Sequence, residues 1–206
     1  MVDIEPDEDI GFTINDTAIL TPNEYIRLYS AFKRDHRLLF NGLLFTGMRT
    51  TEFTDFINVA RGTWYNRNRR IVDIPASAVR KARVSVRRRS VPLSNAGVEA
   101  MEDILDRITN ARKYNQLLMP TRQSWNDTML YTATKAGMKD PKLFVPKLTR
   151  KTWESWLITM YPLATATIMV AMGHTVETSV KHYIGLGFNR EEKDQIKKYT
   201  EGWLSE

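Results

Sequence analysis

The stretch from Met172 to Gly185 holds the residues of this chain that are best suited to chemistry. Tyr183 carries a hydroxyl that can act as a nucleophile, and His174 precedes it by nine residues. If the stretch is a helix, apolar side chains recur at i, i+4 and i+8 and face the core: Val176, Val180 and Ile184. Tyr183 lies beside this stripe, so packing alone could explain it. Its role therefore depends on the residues that the upstream chain brings to it.

Two pairs of charged residues farther upstream are each three positions apart, a spacing that puts both members of a pair on one helical face. Arg49 and Glu52 follow Gly47, which suggests a turn at the end of an apolar helix. Lys147 and Arg150 form the second pair. A surface ion pair of this spacing contributes only about 0.2–0.5 kcal/mol. An arginine directly behind a buried helix, however, can be held rigidly enough to serve a site.

The positive charge is concentrated in one part of the chain. The net charge of +6 and the isoelectric point near 9.5 favour a polyanionic partner. Within residues 61–90 a single acid, Asp73, stands against ten basic side chains: Arg61, Arg67, Arg69, Arg70, Arg80, Lys81, Arg83, Arg87, Arg88 and Arg89. Residues 1–16 hold six acids and no base. This asymmetry predicts contacts with nucleic-acid phosphates.

Composition excludes several kinds of chemistry. The sequence has no cysteine, which rules out disulfides, thiolate catalysis and cysteine-ligated zinc. With three histidines a histidine-rich metal site is not expected either. The sequence has no apolar run of about 18 residues that would predict a transmembrane helix. The acidic N-terminus also lacks the order of a signal peptide, so a cytoplasmic location without a membrane partner is expected.

The patterning predicts a mainly α fold with a small antiparallel β-sheet (α+β) in one sizeable domain. Residues 1–20 are acidic and without sustained periodicity, which predicts a flexible tail ahead of a domain over residues 21–190. Capping residues and helical periodicity predict helices that start at Thr21-Pro22, cover Arg37 to about Phe45, start at Asn95, cover Ser124 to Ala136 with Ser124 as N-cap, run from Pro146 to Tyr161-Pro162, and cover Thr165 to Met172 and residues 190–203.

Residues 62–93 change to a period of two. Strands are predicted over Ile71 to Ile74, which Pro75 ends, and around Val84 to Pro92 with arginines on the alternate side. We interpret them as a basic hairpin whose turn lies near residues 78–83. Arginines also protect an exposed sheet edge, but ten bases exceed that need. The arginines expected to contact nucleic acid are Arg67, Arg69, Arg70, Arg80, Arg83, Arg87, Arg88 and Arg89.

Taken in order, three groups of residues resemble one family. Thr46-Gly47-x-Arg49-x-x-Glu52, then Lys147-x-x-Arg150, then Gly173-His174 with Tyr183 are similar to the catalytic domain of tyrosine recombinases, the phage-type and archaeal integrases. Their order and spacing agree from about residue 21 to residue 190. Each group alone is a weak signal, whereas the three together, with a basic hairpin between the first two, are specific.

The resemblance implies a site-specific recombinase or integrase that cleaves and rejoins double-stranded DNA through a covalent 3′-phosphotyrosine, without metal or nucleotide cofactor. By position, Tyr183 would be the nucleophile, and Arg49 and Arg150 would clamp the scissile phosphate. His174 would assist them, and Glu52 would support the site. Phosphoryl transfer asks mainly for positioning and for neutralised charge on the non-bridging oxygens, which two guanidinium groups can supply. Tyrosine forms an ester that can be reversed, and neighbouring cations can lower its pKa.

Two positions leave alternatives open. Lys147 stands where the family more often has histidine, and its role would be that of a proton donor, a phosphate contact or a partner of Glu52. Lys81 maps to the hairpin lysine that acts on the leaving 5′ oxygen, a poor leaving group that needs a proton donor. Arg83, two residues farther on, would share the same strand face.

Two other functions use the same fold. A type IB topoisomerase-like protein would relax supercoils alone, and a non-catalytic module would only bind DNA. The recombinase interpretation implies a dimer or tetramer on DNA and a mobile element of prokaryotic or viral origin. Residues 191–206 would form a helix that either closes its own domain or docks on a neighbouring protomer. Because only some 20 residues precede the predicted domain, either the chain is one domain of a longer protein or it grips DNA from one side.

Overall fold

The computed structural model describes residues 12–14, 16–79, 88–110, 116–173 and 186–204. These residues form eight α-helices: α1 (Pro22–Ala31), α2 (Arg34–Thr46), α3 (Thr50–Asn58), α4 (Asn95–Thr109), α5 (Arg122–Lys135), α6 (Lys147–Met160), α7 (Thr165–Met172) and α8 (Arg190–Thr200). They also form five short strands: β1 (Phe12–Thr13), β2 (Ala18–Ile19), β3 (Tyr65–Asn66), β4 (Ile71–Ile74) and β5 (Arg89–Pro92). The prediction of a mainly α fold with a small antiparallel sheet is confirmed.

Helices α2 and α6 form the centre of the domain, where they pack against each other. α4 lies on the other flank of α2, while α7 and α8 contact α6. The large apolar side chains of α6 are fully buried: Leu148, Trp153, Trp156 and Leu157. The same helix buries two charged residues, Arg150 and Glu154. Because buried charges need partners, polar groups of other elements must meet this central helix.

Local capping signals set the starts of several helices. At α1 the Thr21 hydroxyl accepts from the Glu24 amide at 3.2 Å, and the Glu24 carboxylate accepts from the Thr21 amide at 2.8 Å, as predicted. α5 begins two residues earlier than predicted, at Arg122. Its N-cap is Thr121 instead of Ser124, since the Thr121 hydroxyl accepts from the Ser124 amide at 3.2 Å. Threonine is a favoured N-cap residue as well, and Thr121 takes this role three residues before Ser124.

Residues 17–20 are buried and residues 12–13 form a strand, although the sequence predicts a tail up to residue 20. β1 pairs antiparallel with β2, and Ile19 and Leu20 are fully buried. The Leu20 amide donates to the Thr152 hydroxyl at 3.0 Å, and the Leu20 carbonyl accepts from the Trp156 indole at 2.9 Å. The folded domain therefore begins before residue 21. Its first residues pack against α6, more than 130 positions away in the sequence.

Strands β3, β4 and β5 form an antiparallel sheet in that order. In the β4–β5 register Ile74 lies opposite Arg89, and Asp73 lies opposite Ser90. Alternation puts Asp73 and Ser90 on the outer face, where the Ser90 hydroxyl donates to the Asp73 carboxylate at 2.5 Å. Arg89 and Ile74 face the core and are buried. The predicted hairpin turn and the strand around Val84 fall largely in residues 80–87, outside the described residues.

The C-terminal helix α8 packs against α6, α4 and α1 of its own chain. Tyr199 lies in an aromatic cluster, with its ring 5.1 Å from Tyr25 and 5.4 Å from Trp156. α8 ends at Thr200, before the predicted boundary. Trp203 beyond it is still buried and stacks on Tyr161 at 6.0 Å. Within this single chain the segment packs on its own domain, and its docking on a neighbouring protomer stays a prediction.

In the described part of the chain, no single helix is long and apolar enough to cross a membrane. Lys147–Met160 and Pro162–Met172 satisfy that length and composition test only as a pair, bent by 117°.

Candidate active site

Arg49 is fixed at the start of α3 by Glu52. The Arg49 amide donates to Glu52 Oε2 at 2.8 Å, and Arg49 Nη1 donates to Glu52 Oε1 at 2.7 Å. Glu52 is fully buried, whereas the Arg49 side chain keeps 26% of its surface exposed. The pair is therefore not a solvated surface pair. One carboxylate holds both the backbone and the guanidinium of the arginine.

Arg150 reaches the same region from the first turn of α6. Its Nη1 donates to the Gly47 carbonyl at 2.7 Å, and its Nη2 donates to the Met172 carbonyl. Burial, followed by the nearby cations Arg89 and Arg49, lowers the pKa of Arg150 to about 9. The guanidinium is thus charged at neutral pH, in a position where its charge is poorly screened by water.

Arg89 is the third arginine of the cluster, and it comes from the inner face of β5. Its Nη1 donates to the Ala171 carbonyl at 2.6 Å, and its Nη2 donates to the Glu52 carboxylate. Only 8% of the residue is exposed. We predicted that Arg89 contacts nucleic acid with the other arginines, but the structure places it inside the domain. Strand alternation carries the signal, because Val91 two residues on is buried on the same face.

The three guanidinium groups converge on the carboxyl end of α7. Three successive carbonyls, those of residues 171–173, accept hydrogen bonds from Arg89, Arg150 and Arg49 in turn. The last carbonyls of a helix lack intrahelical partners and carry partial negative charge, so cations stabilise them. The end of α7 is therefore anchored to strand β5, helix α6 and the start of α3 at once.

Glu52 compensates part of this positive charge. Burial by itself raises the pKa of Glu52, but Arg89, the Arg49 amide and the Arg49 guanidinium outweigh it, so the pKa lies below its ordinary value. The carboxylate is therefore ionised at neutral pH. Burial also lowers the pKa of Arg89, which Glu52 opposes. The cluster keeps more guanidinium groups than this carboxylate can neutralise, and such an excess suits an anionic ligand.

Two glycines allow the close approach of these segments. Gly47 ends α2 with a φ of 57°, and a Cβ there would lie 2.6 Å from the Met172 sulfur. Gly173 ends α7 with a φ of 64°, as predicted for the residue that closes this helix, and a Cβ there would lie 3.1 Å from Arg89 Cδ. Left-handed backbone and tight packing thus both favour glycine at these positions.

Of the other predicted site residues, the structure describes Lys147. Lys147 is the first residue of α6 and is exposed, one turn before Arg150. The carboxylate oxygens of Glu52 accept from Arg49 and Arg89, the places that a lysine partner of Glu52 would take. The remaining predicted site residues, Lys81, His174 and Tyr183, lie outside the described residues. The apolar stripe predicted over residues 176–184 also lies outside them.

Four of the predicted DNA-contacting arginines are exposed around the β3–β4 turn and the start of β5: Arg67, Arg69, Arg70 and Arg88. Arg67 binds the Glu102 carboxylate, with Nε 2.7 Å from Oε1. Arg88 lies 3.2 Å from Asp73. The other three, Arg80, Arg83 and Arg87, lie outside the described residues. Among the residues that are described, acidic and histidine side chains form no group that could hold a metal ion.

Two buried guanidinium groups and the partly exposed one of Arg49, which converge on one helix end of a mainly α domain, form an arrangement that can bind an anionic group such as phosphate. The sequence matches the Phage integrase family over residues 18–190, which are most of the chain. The protein therefore belongs to this family, that of the tyrosine recombinases. A comparison with curated protein sequences gave no match.

Solved structures with the same fold include XerA recombinase, at 16% identity and a TM-score of 0.59 over 95% of this chain. The Tn1549 transposon integrase in complex with transposon right-end DNA gives 14% identity and a TM-score of 0.60 over 93% of this chain. XerH recombinase bound to its difH substrate gives 16% identity and a TM-score of 0.53 over 82% of this chain. The match spans 66% of the XerA chain, 67% of the integrase chain and 50% of the XerH chain.

Proposed function

We propose that this chain is the catalytic part of a site-specific DNA recombinase or integrase in which Tyr183 cleaves a DNA strand. The observation that supports this most directly is the convergence of Arg49 and Arg150 on adjoining carbonyls at the end of α7. The two arginines come from different helices, and the chain continues from there to His174 and, nine residues later, to Tyr183. A phosphate held by the arginines would lie close to the segment that carries the nucleophile.

The proposed reaction conserves the number of phosphodiester bonds. The Tyr183 hydroxyl loses its proton to solvent as its oxygen attacks the scissile phosphorus, the bond from phosphorus to the 5′ oxygen breaks, and a 3′-phosphotyrosine remains. Arg49 and Arg150 neutralise the charge that develops on the non-bridging oxygens, assisted by His174. Lys81 donates a proton to the leaving 5′ oxygen, and the reverse attack of a 5′ hydroxyl rejoins the strand. Because the phosphotyrosine ester replaces the broken phosphodiester, the cycle needs no nucleotide hydrolysis. The two guanidinium groups supply the charge neutralisation that a metal ion could otherwise provide.

The proposed partner is double-stranded DNA. The Tn1549 integrase and XerH were solved in complex with DNA, and the exposed arginines beside the sheet give this chain a basic surface that can bind phosphates. Four of them are described: Arg67, Arg69, Arg70 and Arg88. Recombination joins strands of different duplexes, so we also propose self-association on DNA as a dimer or tetramer. Lys147, exposed one turn before Arg150, is proposed as a phosphate contact or proton donor.

The test is covalent capture on nicked DNA. Wild-type protein is incubated with a library of duplexes that carry random sequence around a nick, so that the cleaved fragment diffuses away and the adduct persists. We expect a protein–DNA species that survives denaturation for the wild type and is absent for Tyr183→Phe. The matched control is Tyr131→Phe, since Tyr131 is an exposed tyrosine on α5, and it should react like the wild type.

The outcomes separate the possible functions. No adduct from the wild type across the library would contradict the proposal and leave a non-catalytic DNA-binding module. An adduct that persists in Tyr183→Phe would move the nucleophile to another residue. With a duplex recovered from the library, joining of strands from two differently labelled duplexes identifies a recombinase. Relaxation of a supercoiled plasmid without joined products would indicate a topoisomerase instead.

A further inference from the structure

We propose that Arg89 is a positioning residue of the active site, which acts through Glu52 and the carboxyl end of α7 and does not contact DNA. This inference rests on the proposed function, because it assigns a role within the same reaction. Arg89 is the only residue of the cluster supplied by the sheet, among those that the structure describes. It is buried on the face of β5 that points into the domain.

The two bonded nitrogens of the Arg89 guanidinium link two parts of the site. Nη2 binds Glu52, whose other bonds hold the Arg49 guanidinium and the Arg49 amide. Nη1 donates to the Ala171 carbonyl at 2.6 Å. A planar guanidinium fixes the angle between its two donors, so it sets the position of Glu52 relative to α7. Arg49, in turn, binds both Glu52 and the carbonyl of Gly173.

Removal of the Arg89 side chain would therefore affect more than the two groups that it binds. Glu52 would be deprived of the strongest of its charged partners, and Arg49 would be oriented by a less constrained carboxylate. The Ala171 carbonyl would be left without this donor just before the turn at Gly173 that leads to His174. Both changes displace groups that must be aligned on one phosphate, and misalignment of about 1 Å can cost about a hundredfold in rate.

Neighbouring Arg88 provides the contrast. It lies one residue earlier, its side chain is 68% exposed, and it pairs with Asp73 on the outer face of the sheet. Arg88 can therefore contact phosphate in solution, whereas Arg89 cannot do so without unpacking α7 from the sheet. Two adjacent arginines of one basic stretch thus have different functions, set by strand alternation.

The experiment compares Arg89→Met and Arg89→Lys with the wild type on a nicked duplex recovered with the wild-type protein. At saturating DNA we expect Arg89→Met to slow adduct formation about a hundredfold with little change in DNA affinity. Arg89→Lys keeps the charge but not the fork, so partial recovery is expected. Arg88→Met should instead weaken DNA binding. Arg107→Met is the control for reduced stability, since Arg107 pairs with Asp35 between α4 and α2, remote from the cluster.

Two readouts distinguish positioning from general destabilisation. In Arg89→Met, Glu52 lacks the partner that keeps its pKa low, so adduct formation should decline with falling pH at a higher pH than in the wild type. Glu52→Gln combined with Arg89→Met should slow the reaction by less than the product of the two single effects, because the two residues act in part through one carboxylate. If Arg89→Met does not fold, the pH profile of Arg89→Lys provides the same comparison.

The result that overturns this inference is an Arg89→Met protein that folds, forms adduct at the wild-type rate at saturation and binds DNA more weakly. Arg89 would then be a DNA contact. An equal slowing in Arg107→Met would show that the effect is one of stability. The proposed function is tested separately by the wild type, since absence of a Tyr183-dependent adduct there contradicts that proposal before any Arg89 variant is considered.

Discussion

Glu52 is a fully buried carboxylate in contact with two guanidinium groups, Arg49 and Arg89. A third guanidinium, that of Arg150, lies close enough for its pKa to respond to Glu52. Removal of one partner from a buried ion pair leaves an uncompensated charge, which costs far more than the removal of a surface pair. The ionisation of this one residue therefore affects both the stability of the domain and the arrangement of its arginines.

Glu52→Gln should lower the free energy of unfolding at pH 7 by about 3 kcal/mol, because the arginines then lack their counter-charge. The folded pKa of Glu52 lies below the ordinary value of 4.5. The stability that its charge contributes is therefore present above that value and is lost as the pH falls through the folded pKa. The stability difference between wild type and variant should shrink as the pH is lowered below 4.5. Urea unfolding across this range measures it.

Glu99→Gln is the matched control, since Glu99 is an exposed glutamate on α4. It should change stability by less than about 0.5 kcal/mol. A Glu52→Gln protein as stable as Glu99→Gln at neutral pH would show that the buried cluster does not depend on the carboxylate charge.

At the scale of elements, the site is formed where five segments end or begin. α2 ends at Gly47, α3 begins after Arg49, and α7 ends at Gly173. α6 contributes its first turn and β5 its first residue. Helix ends expose backbone carbonyls and tolerate sharp turns, so they can hold arginines that a regular helical surface would leave in solvent.

Gly47→Ala should destabilise the protein by more than the cost of a left-handed alanine, which is about 1–2 kcal/mol. An added Cβ would lie 2.6 Å from the Met172 sulfur, so the end of α7 would have to move. The Gly47 carbonyl also accepts from Arg150. Adduct formation should therefore slow as well.

Gly137→Ala separates backbone strain from packing in this experiment. Gly137 has a similar φ of 67°, but an added Cβ there meets no described atom within 4 Å. This variant should show only the conformational cost and keep the wild-type rate of adduct formation. Equal reductions of stability in the two variants, measured by urea unfolding, would mean that the packing of Gly47 against Met172 is not restrictive.

Much of this arrangement could be predicted from the sequence, because its signals are local. Caps and proline positions indicated α1, α6 and α7, and the spacing of charged residues indicated Arg49, Glu52 and Arg150. The burial of residues 17–20 could not be predicted, since Leu20 binds side chains of α6 that are distant in the sequence. Arg89 was grouped with surface arginines because a count of charges ignores which face of the strand each residue occupies.

At the scale of the whole molecule, the arginines fall into a buried group and an exposed group. The buried arginines of the cluster are bound by Glu52 and by backbone carbonyls. Four exposed arginines lie around the β3–β4 turn and the start of β5: Arg67, Arg69, Arg70 and Arg88. The net charge of +6 supplies a general attraction for DNA, which salt screens. We therefore expect the surface arginines to govern affinity and its salt dependence, and the buried cluster to govern the rate of cleavage.

Arg69→Ala tests this division. Arg69 is exposed beside the β3–β4 turn, so removal of a phosphate-binding side chain there should weaken binding to duplexes of any sequence. The slope of log K against log salt should become shallower by about 0.9, the value for one neutralised phosphate on duplex DNA. Titration of a fluorescent duplex at several salt concentrations measures the slope. Adduct formation at saturating DNA should remain that of the wild type, because the side chain is not among those that hold Glu52 or the end of α7.

Arg34→Ala is the matched control for this titration. It removes the same charge from the N-terminus of α2, the end of that helix opposite to Gly47. The variant should keep the wild-type slope, because salt at 0.1 M screens a charge beyond about 10 Å. A change of net charge far from the bound DNA therefore has little effect on binding. If Arg34→Ala and Arg69→Ala reduced the slope equally, binding would follow net charge, and the surface beside the sheet would not be the DNA-binding face. If only Arg69→Ala reduced it, DNA lies across the β3–β4 turn, next to the arginine cluster beneath the sheet.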